Sequence, residues 1–446
     1  MNDSNDLDLL SDLINRARAA GADEADVILV RSTSQDATWR MGRNEGVERS
    51  EANDLGLRVL IGKRQAVVST TDLRAGAIAE IVERALAMAK AVPEDPYCGL
   101  PDIERLAVEI PDLDLSDDSE PSSDDLLAWA EEAEDAARGT KGITNSEGAE
   151  ASWSEGRVAL AASNGFAGTY RGTRFGVSVS VVAGSGTGME RDYEFLSARH
   201  CSDLETPATV GGRAAERAVR RLNPRKQKSA QVPVVFDPRV SGGFLRLLAA
   251  VVSGNAITRS TSFLQEKLGE AVFAPGISII DDPLRPRGLS SRPFDGEGVA
   301  GQRRALIDDG RLTTWLLDSR SARQLGLQTT GHAARGPSGP PAPSPSNLSM
   351  SPGSVTPEAL IGEIDSGLYV TEMMGMSFQT TTGDYSRGAA GFWIENGELA
   401  YPVSELTVAG NLLNLFPRLT PADDLVFRYG IDAPTLRIDG MTMAGL

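Results

Sequence analysis

The sequence predicts an α+β protein in two parts: an N-terminal α/β domain over 1–225 and a C-terminal β-rich, barrel- or sandwich-like domain over 226–446. Three observations carry this. Helical and strand-like apolar spacings alternate through the first half. Short strand-like runs joined by tight-turn pairs dominate the second. Between them, around "NPRKQKSAQ" (223–231), the composition turns basic and polar, and a chain of 446 residues exceeds what one ordinary core holds.

Residues 5–20 carry Leu7, Leu9, Leu10, Leu13, Ile14 and Ala17 at helical spacing, stopped by Gly21. Strand-like runs follow at 25–33, 36–42, 55–62 and 64–71, separated by Gly, Asn and charged turns. A second helix over 73–91 repeats Ile78, Ile81, Val82, Ala85, Leu86 and Ala89 as an apolar stripe. The acidic, Pro/Ser-rich segment 111–125 is expected at the surface. It leads into a helix whose first turn holds Asp124 and Asp125, favourable at the positive end of the helix dipole. From Gly142 strand signals return, and "ATVGGRAAERAVRRLN" (208–223) reads as a helix, so strands followed by a helix recur as a loose second copy.

The second half opens with "SGGFLRLLAAVVSGN" (241–255), a helix with a Gly-Gly entry, an apolar run and a Ser-Gly-Asn stop. Its interior holds a single charged residue, Arg246, and no His, Cys, Asp or Glu. Short strands are then expected at 276–282, 303–318, 367–375, 388–410 and 435–443. Asp309–Gly310 and Asn396–Gly397 mark hairpins, because these pairs accept the positive φ that tight turns need. Pro and Gly fill 331–354, which excludes regular structure there and makes the segment either a functional loop or a surface cover.

Apolar content of 41% and charged content of 24% fit a folded globular protein. The formal net charge of −18 repels phosphate backbones, and no Lys/Arg-rich stripe reverses it; "RAVRRLNPRKQK" (217–228) reads as a helix end plus linker. Nucleic acid is therefore not an expected partner. The first 21 residues lack the basic and apolar regions of a signal peptide, and no apolar run reaches the roughly 18 residues of a membrane span. Two cysteines build no disulfide framework. A cytoplasmic protein follows.

Candidates for chemistry are few. His200 adjoins Cys201, but neighbours on an extended chain point to opposite sides. A Ser–His–Asp arrangement through His332 stays open, since triads assemble in space, although no G-x-S-x-G elbow accompanies it. Carboxylates are numerous enough for an oxygen-ligand metal site, yet none shows EF-hand spacing, and Asp117–Asp118 reads as a solvated face. "GSGTG" (184–188) lacks the Lys and helix of a phosphate loop and reads as a hairpin turn.

Several segments together resemble the TldD/PmbA family: "GLRVLIGKRQAVVSTTDL" (56–73), "VERALAMAKAVPEDPYCGL" (82–100), "FDGEGVAGQRRALIDDGRL" (294–312), "PSPSNLSM" (343–350), "GDYSRGAAGFWIENGELAYPVSELTVAGN" (383–411) and "PTLRIDGMTMAG" (434–445). They run in the expected order across nearly the whole chain, and "GKRQA" with "PEDPYCGL" is similar to the PmbA (TldE) branch. The resemblance implies a cytoplasmic TldD–TldE peptidase complex. In TldD-type chains a helix opening the second half carries H-E-x-x-x-H, whose two His and a later Cys hold zinc while the Glu acts as general base. A zinc-bound water is then a usable nucleophile near neutral pH.

Anchored on "SGN" and "TSFLQEKLGE", that motif falls on 245–250 here. Leu245 stands for the first His, Arg246 for the Glu and Ala250 for the second His; no Cys follows Cys201, and "VFRYGIDAPTL" occupies the end of the third-ligand loop. An Arg in place of the base also repels a cation. The resemblance thus implies a chain with no catalytic or metal-binding residue and no cofactor of its own, zinc being expected in a TldD-type partner. Extended peptides are the implied substrate, with Asn347 a candidate peptide contact in the 331–354 loop. Two rival readings remain: a homodimer that binds peptides or acts as a regulator, in keeping with the family's label as a modulator of DNA gyrase, and a hydrolase with an unrecognised site.

Overall fold

The computed structural model describes residues 3–445. The first half builds one sheet of six antiparallel strands with helices against it. Helix α1 (Asp3–Ala19) precedes β1 (Glu24–Arg40), β2 (Arg43–Ile61) and β3 (Arg64–Thr70), and α2 (Ala75–Ala91) closes the unit. The order then recurs as α3 (Ser123–Arg138), β4 (Ile143–Ala162), β5 (Ala167–Ala183), β6 (Glu190–Ala198) and α4 (Pro207–Arg220). The strands run β3-β2-β1-β4-β5-β6, so β1 and β4 meet at the centre and β6 forms an edge. The α2 stripe read from the sequence is buried in full, against Leu55, Leu57 and Val59 of β2.

Two expectations change. The runs at 25–33 and 36–42 are one strand, β1, and the charged stretch 43–54 is the first part of β2 rather than a turn. Its exposed ladder is held by register with β1 from Glu24↔Leu60 to Arg40↔Arg43. The turn at Met41 and Gly42 is capped by the buried Glu134, whose carboxylate accepts both N–H groups at 2.8 and 3.0 Å. Segment 111–125 is not wholly exposed either: its Asp-Leu alternation turns Leu113 and Leu115 inward, and Thr173 N donates to Leu115 O. Helix α3 carries the expected Asp124 and Asp125 in its first turn and opens in a capping box formed by Ser122 and Asp125.

The second half contains β7 (Ala230–Phe236), α5 (Pro238–Val251), α6 (Gly254–Thr258), β8 (Ile279–Asp281), β9 (Arg304–Asp308), β10 (Arg311–Leu312) and α7 (Ser319–Leu325). After these come β11 (Ala333–Ala334), β12 (Ala342–Pro343), β13 (Leu348–Met350), α8 (Pro357–Gly362), β14 (Ser366–Phe378), β15 (Asp384–Glu395) and β16 (Glu398–Asn411). Helix α9 (Leu412–Leu415), β17 (Leu419–Pro421), β18 (Ile431–Asp432) and β19 (Leu436–Ala444) end the chain. Strands β16, β15, β14, β7 and β19 pair in that order, and Val408↔Met443 joins β16 to β19, closing a five-stranded barrel. Closure removes the sheet edges. Beside it lies the five-stranded sheet β10-β9-β8-β13-β18. Both predicted hairpins form, with Asp309 and Asn396 at positive φ.

The segment 331–354 departs most from its reading. It carries three short strands and buries His332, Ser346, Asn347, Leu348 and Met350. Arginine and glycine explain how a Pro-rich segment packs. Arg335 reaches the buried Asp26–Arg58 pair of β1 and β2, and Gly56 leaves room for Pro337: a Cβ there would lie 2.1 Å from the Pro337 carbonyl oxygen. The segment is a strap laid across the N-terminal sheet.

Candidate functional site

Helix α5 begins where the β7 chain ends. Asp237 caps it by accepting from Arg239 N at 2.9 Å, Pro238 fills the first turn where no N–H is required, and Tyr369 Oη donates to the second Asp237 oxygen at 2.9 Å. Its inner face is apolar. Phe244 packs edge-on to Phe236 with centroids 4.8 Å apart, and Leu245 and Leu248 are 1% and 0% exposed. The helix ends at Val251, just before the expected Ser-Gly-Asn stop, and Ser253 then opens the short helix α6.

The three positions singled out by sequence do not share a face. Leu245 points into the core, whereas Arg246 and Ala250, one turn apart, are exposed. The 426–436 segment does reach the helix: Ser241 Oγ donates to Ala433 O at 3.1 Å, and Ile431 O lies 2.8 Å from where a Gly242 Cβ would sit. Glycine is what lets the two backbones approach. The donor chemistry does not fit zinc: an alkyl and a methyl group stand at the two positions the resemblance assigns to histidine ligands, Leu245 and Ala250, and a guanidinium stands at the one it assigns to the general base, Arg246. Among the described residues no group of three or more His, Cys, Asp or Glu could hold a metal ion.

The other chemical candidates resolve into structural roles. His332 Nε2 lies 3.2 Å from Asp281 Oδ2, and Ser346 Oγ donates to that same oxygen at 2.5 Å. Asp281 therefore stands between hydroxyl and imidazole, whereas a triad needs the imidazole in the middle. All three are at most 2% exposed. Burial would raise the Asp281 carboxyl, but His332 and Ser346 outweigh it and hold it below its usual range. His200 faces Asp114, and burial together with Asp117 raises the Cys201 thiol, the opposite of an activated nucleophile. Asn347 is 1% exposed, and its amide is spent within the fold: Nδ2 donates to Asp282 O and Ser291 Oγ, both at 2.7 Å, while Oδ1 accepts from Ser290 N at 3.0 Å.

What sequence reasoning did not find is a cleft between β6 and α5. Two adjoining cavities of about 280 and 330 Å³ share Ser197, Leu289 and Arg428. Arginines far apart in sequence line them, among them Arg174, Arg199, Arg246, Arg285 and Arg428. No basic stripe marks this in the chain, since each comes from a different segment. Burial, reinforced by Arg174, pulls the Arg199 guanidinium down to about 10. Arg285 lies over the exposed Phe427 ring, 3.4 Å from its centroid. Arg239 bridges the two halves of the chain through Asp192 at 2.8 Å; burial opposes its charge, but Asp192 and Asp237 outweigh it.

Family models match the chain as PmbA/TldA metallopeptidase domain 1 over 25–89, central domain over 116–222 and C-terminal domain over 229–445. Metalloprotease PmbA of Escherichia coli O157:H7 is 39% identical, over 95% of this chain and 93% of that one. The chain belongs to the PmbA/TldD metallopeptidase family. The Haemophilus influenzae metalloprotease PmbA homolog is 37% identical over 97% of this chain and 94% of its own. Among solved structures, a Bacteroides thetaiotaomicron protein described as a modulator of DNA gyrase superposes with a TM-score of 0.90 at 28% identity, covering 98% of each chain. TldE of Thermococcus kodakarensis shares the fold, with a TM-score of 0.86 at 23% identity over 98% of this chain and 100% of that one. Among the described residues of this PmbA/TldD fold, no helix is long and apolar enough to cross a membrane.

Proposed function

We propose that this chain is the non-catalytic, PmbA/TldE-type subunit of a cytoplasmic TldD–TldE metallopeptidase that processes unfolded or extended peptides. The observation that supports this is the character of α5. A helix with Leu245 and Ala250 at the histidine positions and Arg246 at the glutamate position offers no lone pair to zinc and no carboxylate to activate water. The chain contributes shape and charge to a chamber, and a TldD-type partner carrying H-E-x-x-x-H supplies metal and general base. Related architectures suit a pseudo-two-fold pair in which equivalent surfaces meet.

The test is a tagged pull-down from native cells, with mass spectrometry and zinc analysis of the recovered complex. A near-stoichiometric partner bearing H-E-x-x-x-H, with zinc following that partner, is the expected result. Recovery of this chain as a homodimer, or peptidase activity from the purified chain alone, would replace the proposal with one of its two rivals.

A further inference from the structure

The cleft beside α5 carries charge that the rest of the chain leaves unneutralised. Arg174 on β5, Arg246 on α5 and Arg428 just before β18 line one cavity of about 330 Å³. Among the described residues, none of these three guanidiniums pairs with a carboxylate; Arg174 makes one long hydrogen bond, to Leu289 O at 3.4 Å. Around the cleft, by contrast, Arg213, Arg221, Arg239 and Arg287 all meet acids. The carboxylates nearest the cleft are already used: Asp203 pairs with Arg287, and Asp432 accepts from Arg428 N and Tyr429 N.

The same cavity has an aromatic floor. Tyr193 and Phe195 stack with centroids 6.3 Å apart, and Phe195 meets Tyr429 at 5.1 Å. The two β6 rings are 40% and 39% exposed. A ligand that satisfies both features carries an anionic group next to an apolar one. Aromatic faces take the apolar part, and guanidiniums take a carboxylate through paired N–H bonds. A nucleic acid supplies anions too, but its repeated charge meets the overall negative field.

Edge strand β6 decides how a peptide would lie here. Tyr193 N donates to Asp192 Oδ1 at 2.8 Å and Phe195 N to Glu194 Oε1 at 3.1 Å, while Arg239 Nη1 reaches Tyr193 O at 3.4 Å. With these ladder groups engaged, a passing chain cannot add as a strand over 193–195. A chain end fits.

We propose that this cleft binds the C-terminal residue of a peptide, its α-carboxylate against Arg174, Arg246 and Arg428 and its side chain on the Tyr193–Phe195–Tyr429 floor. The choice of a peptide rests on the function proposed above. The test uses the purified full chain without a partner and an N-terminally fluorescein-labelled peptide ending Ala-Ala-Phe, as free acid and as amide, read by anisotropy. The free acid is expected to bind roughly tenfold more tightly than the amide, the scale of one lost charge-assisted contact. Arg246→Gln and Arg428→Gln, both at solvent-reachable positions, are expected to erase most of that preference while leaving the melting temperature unchanged. Equal binding of acid and amide, binding of neither, unaltered preference in both variants, or easier displacement by a short oligonucleotide than by unlabelled acid peptide would overturn the assignment. Those outcomes leave the pull-down result standing, and a failed pull-down leaves the end-group preference of the isolated chain readable, so the two proposals fail separately.

Discussion

Glu297 shows how a single buried side chain sets a measurable property. It is 4% exposed, beside Asp295 at 2%, and its Oε2 accepts from Ser319 N at the start of α7. Burial and then the Asp295 charge push its carboxyl up to about 7. A raised folded pKa means that the folded chain holds this proton more tightly than the unfolded chain does. The resulting stability is fully present below the unfolded value of about 4.3 and is lost as pH rises through about 7. Glu297→Gln keeps an acceptor for Ser319 and removes the titration. Relative to wild type, the variant should gain roughly 3–4 kcal/mol between about pH 4 and pH 8, measured by urea unfolding across that range. An unchanged difference would mean that Glu297 is already ionised. Asn347, the sequence's candidate peptide contact, lines the smaller cavity of the cleft beside α5, while its amide is held by residues 282, 290 and 291 within the fold.

At the scale of elements, α5 was legible as a helix because an apolar run between Gly-Gly and Ser-Gly has one economical conformation in water. Its partners were not legible. Contact with the 426–436 segment depends on Gly242, whose missing side chain is the contact. Gly242→Ala should lower stability by roughly 1–3 kcal/mol, since overpacking must move α5 or Ile431, despite alanine's better helix propensity. A denaturation midpoint equal to or above wild type would show that the two segments are looser than described. The polar first part of β2 was missed for a related reason. Its residues are exposed, so no alternation of burial marks them, and only hydrogen bonding to β1 keeps them extended.

Across the whole molecule, the two halves are joined by charge as well as by apolar contact. Asp26 of β1 is held by Arg58 of β2 and by Arg335 of the strap, and it is 2% exposed. Burial alone would raise its carboxyl, but Arg335 and Arg58 outweigh that and hold it below the usual range. A depressed folded pKa gives stability that is present above about 3.9 and lost as pH falls through the lower folded value. Asp26→Asn leaves two guanidiniums without their counter-charge and should cost about 3–5 kcal/mol at neutral pH, with earlier proteolysis within 331–347. Intact protease resistance would mean that the strap is held by packing alone. The strap also explains why 331–354 misled the sequence reading. Proline excludes long strands and helices, but it does not exclude burial when another part of the chain provides hydrogen-bond partners and a glycine such as Gly56 provides room.

The sequence by itself determined the fold class, the main helices, both Asx-Gly hairpins and the absence of a donor set on α5. These follow from local periodicity, turn stereochemistry and side-chain identity, which do not depend on where the rest of the chain lies. Tertiary structure alone decided that Asp281 stands between Ser346 and His332, that the Pro-rich strap is buried, and that arginines from separate segments converge beside α5. Those outcomes depend on contacts between residues distant in the chain, and their energies come from burial and charge pairing that exist only once those segments have packed.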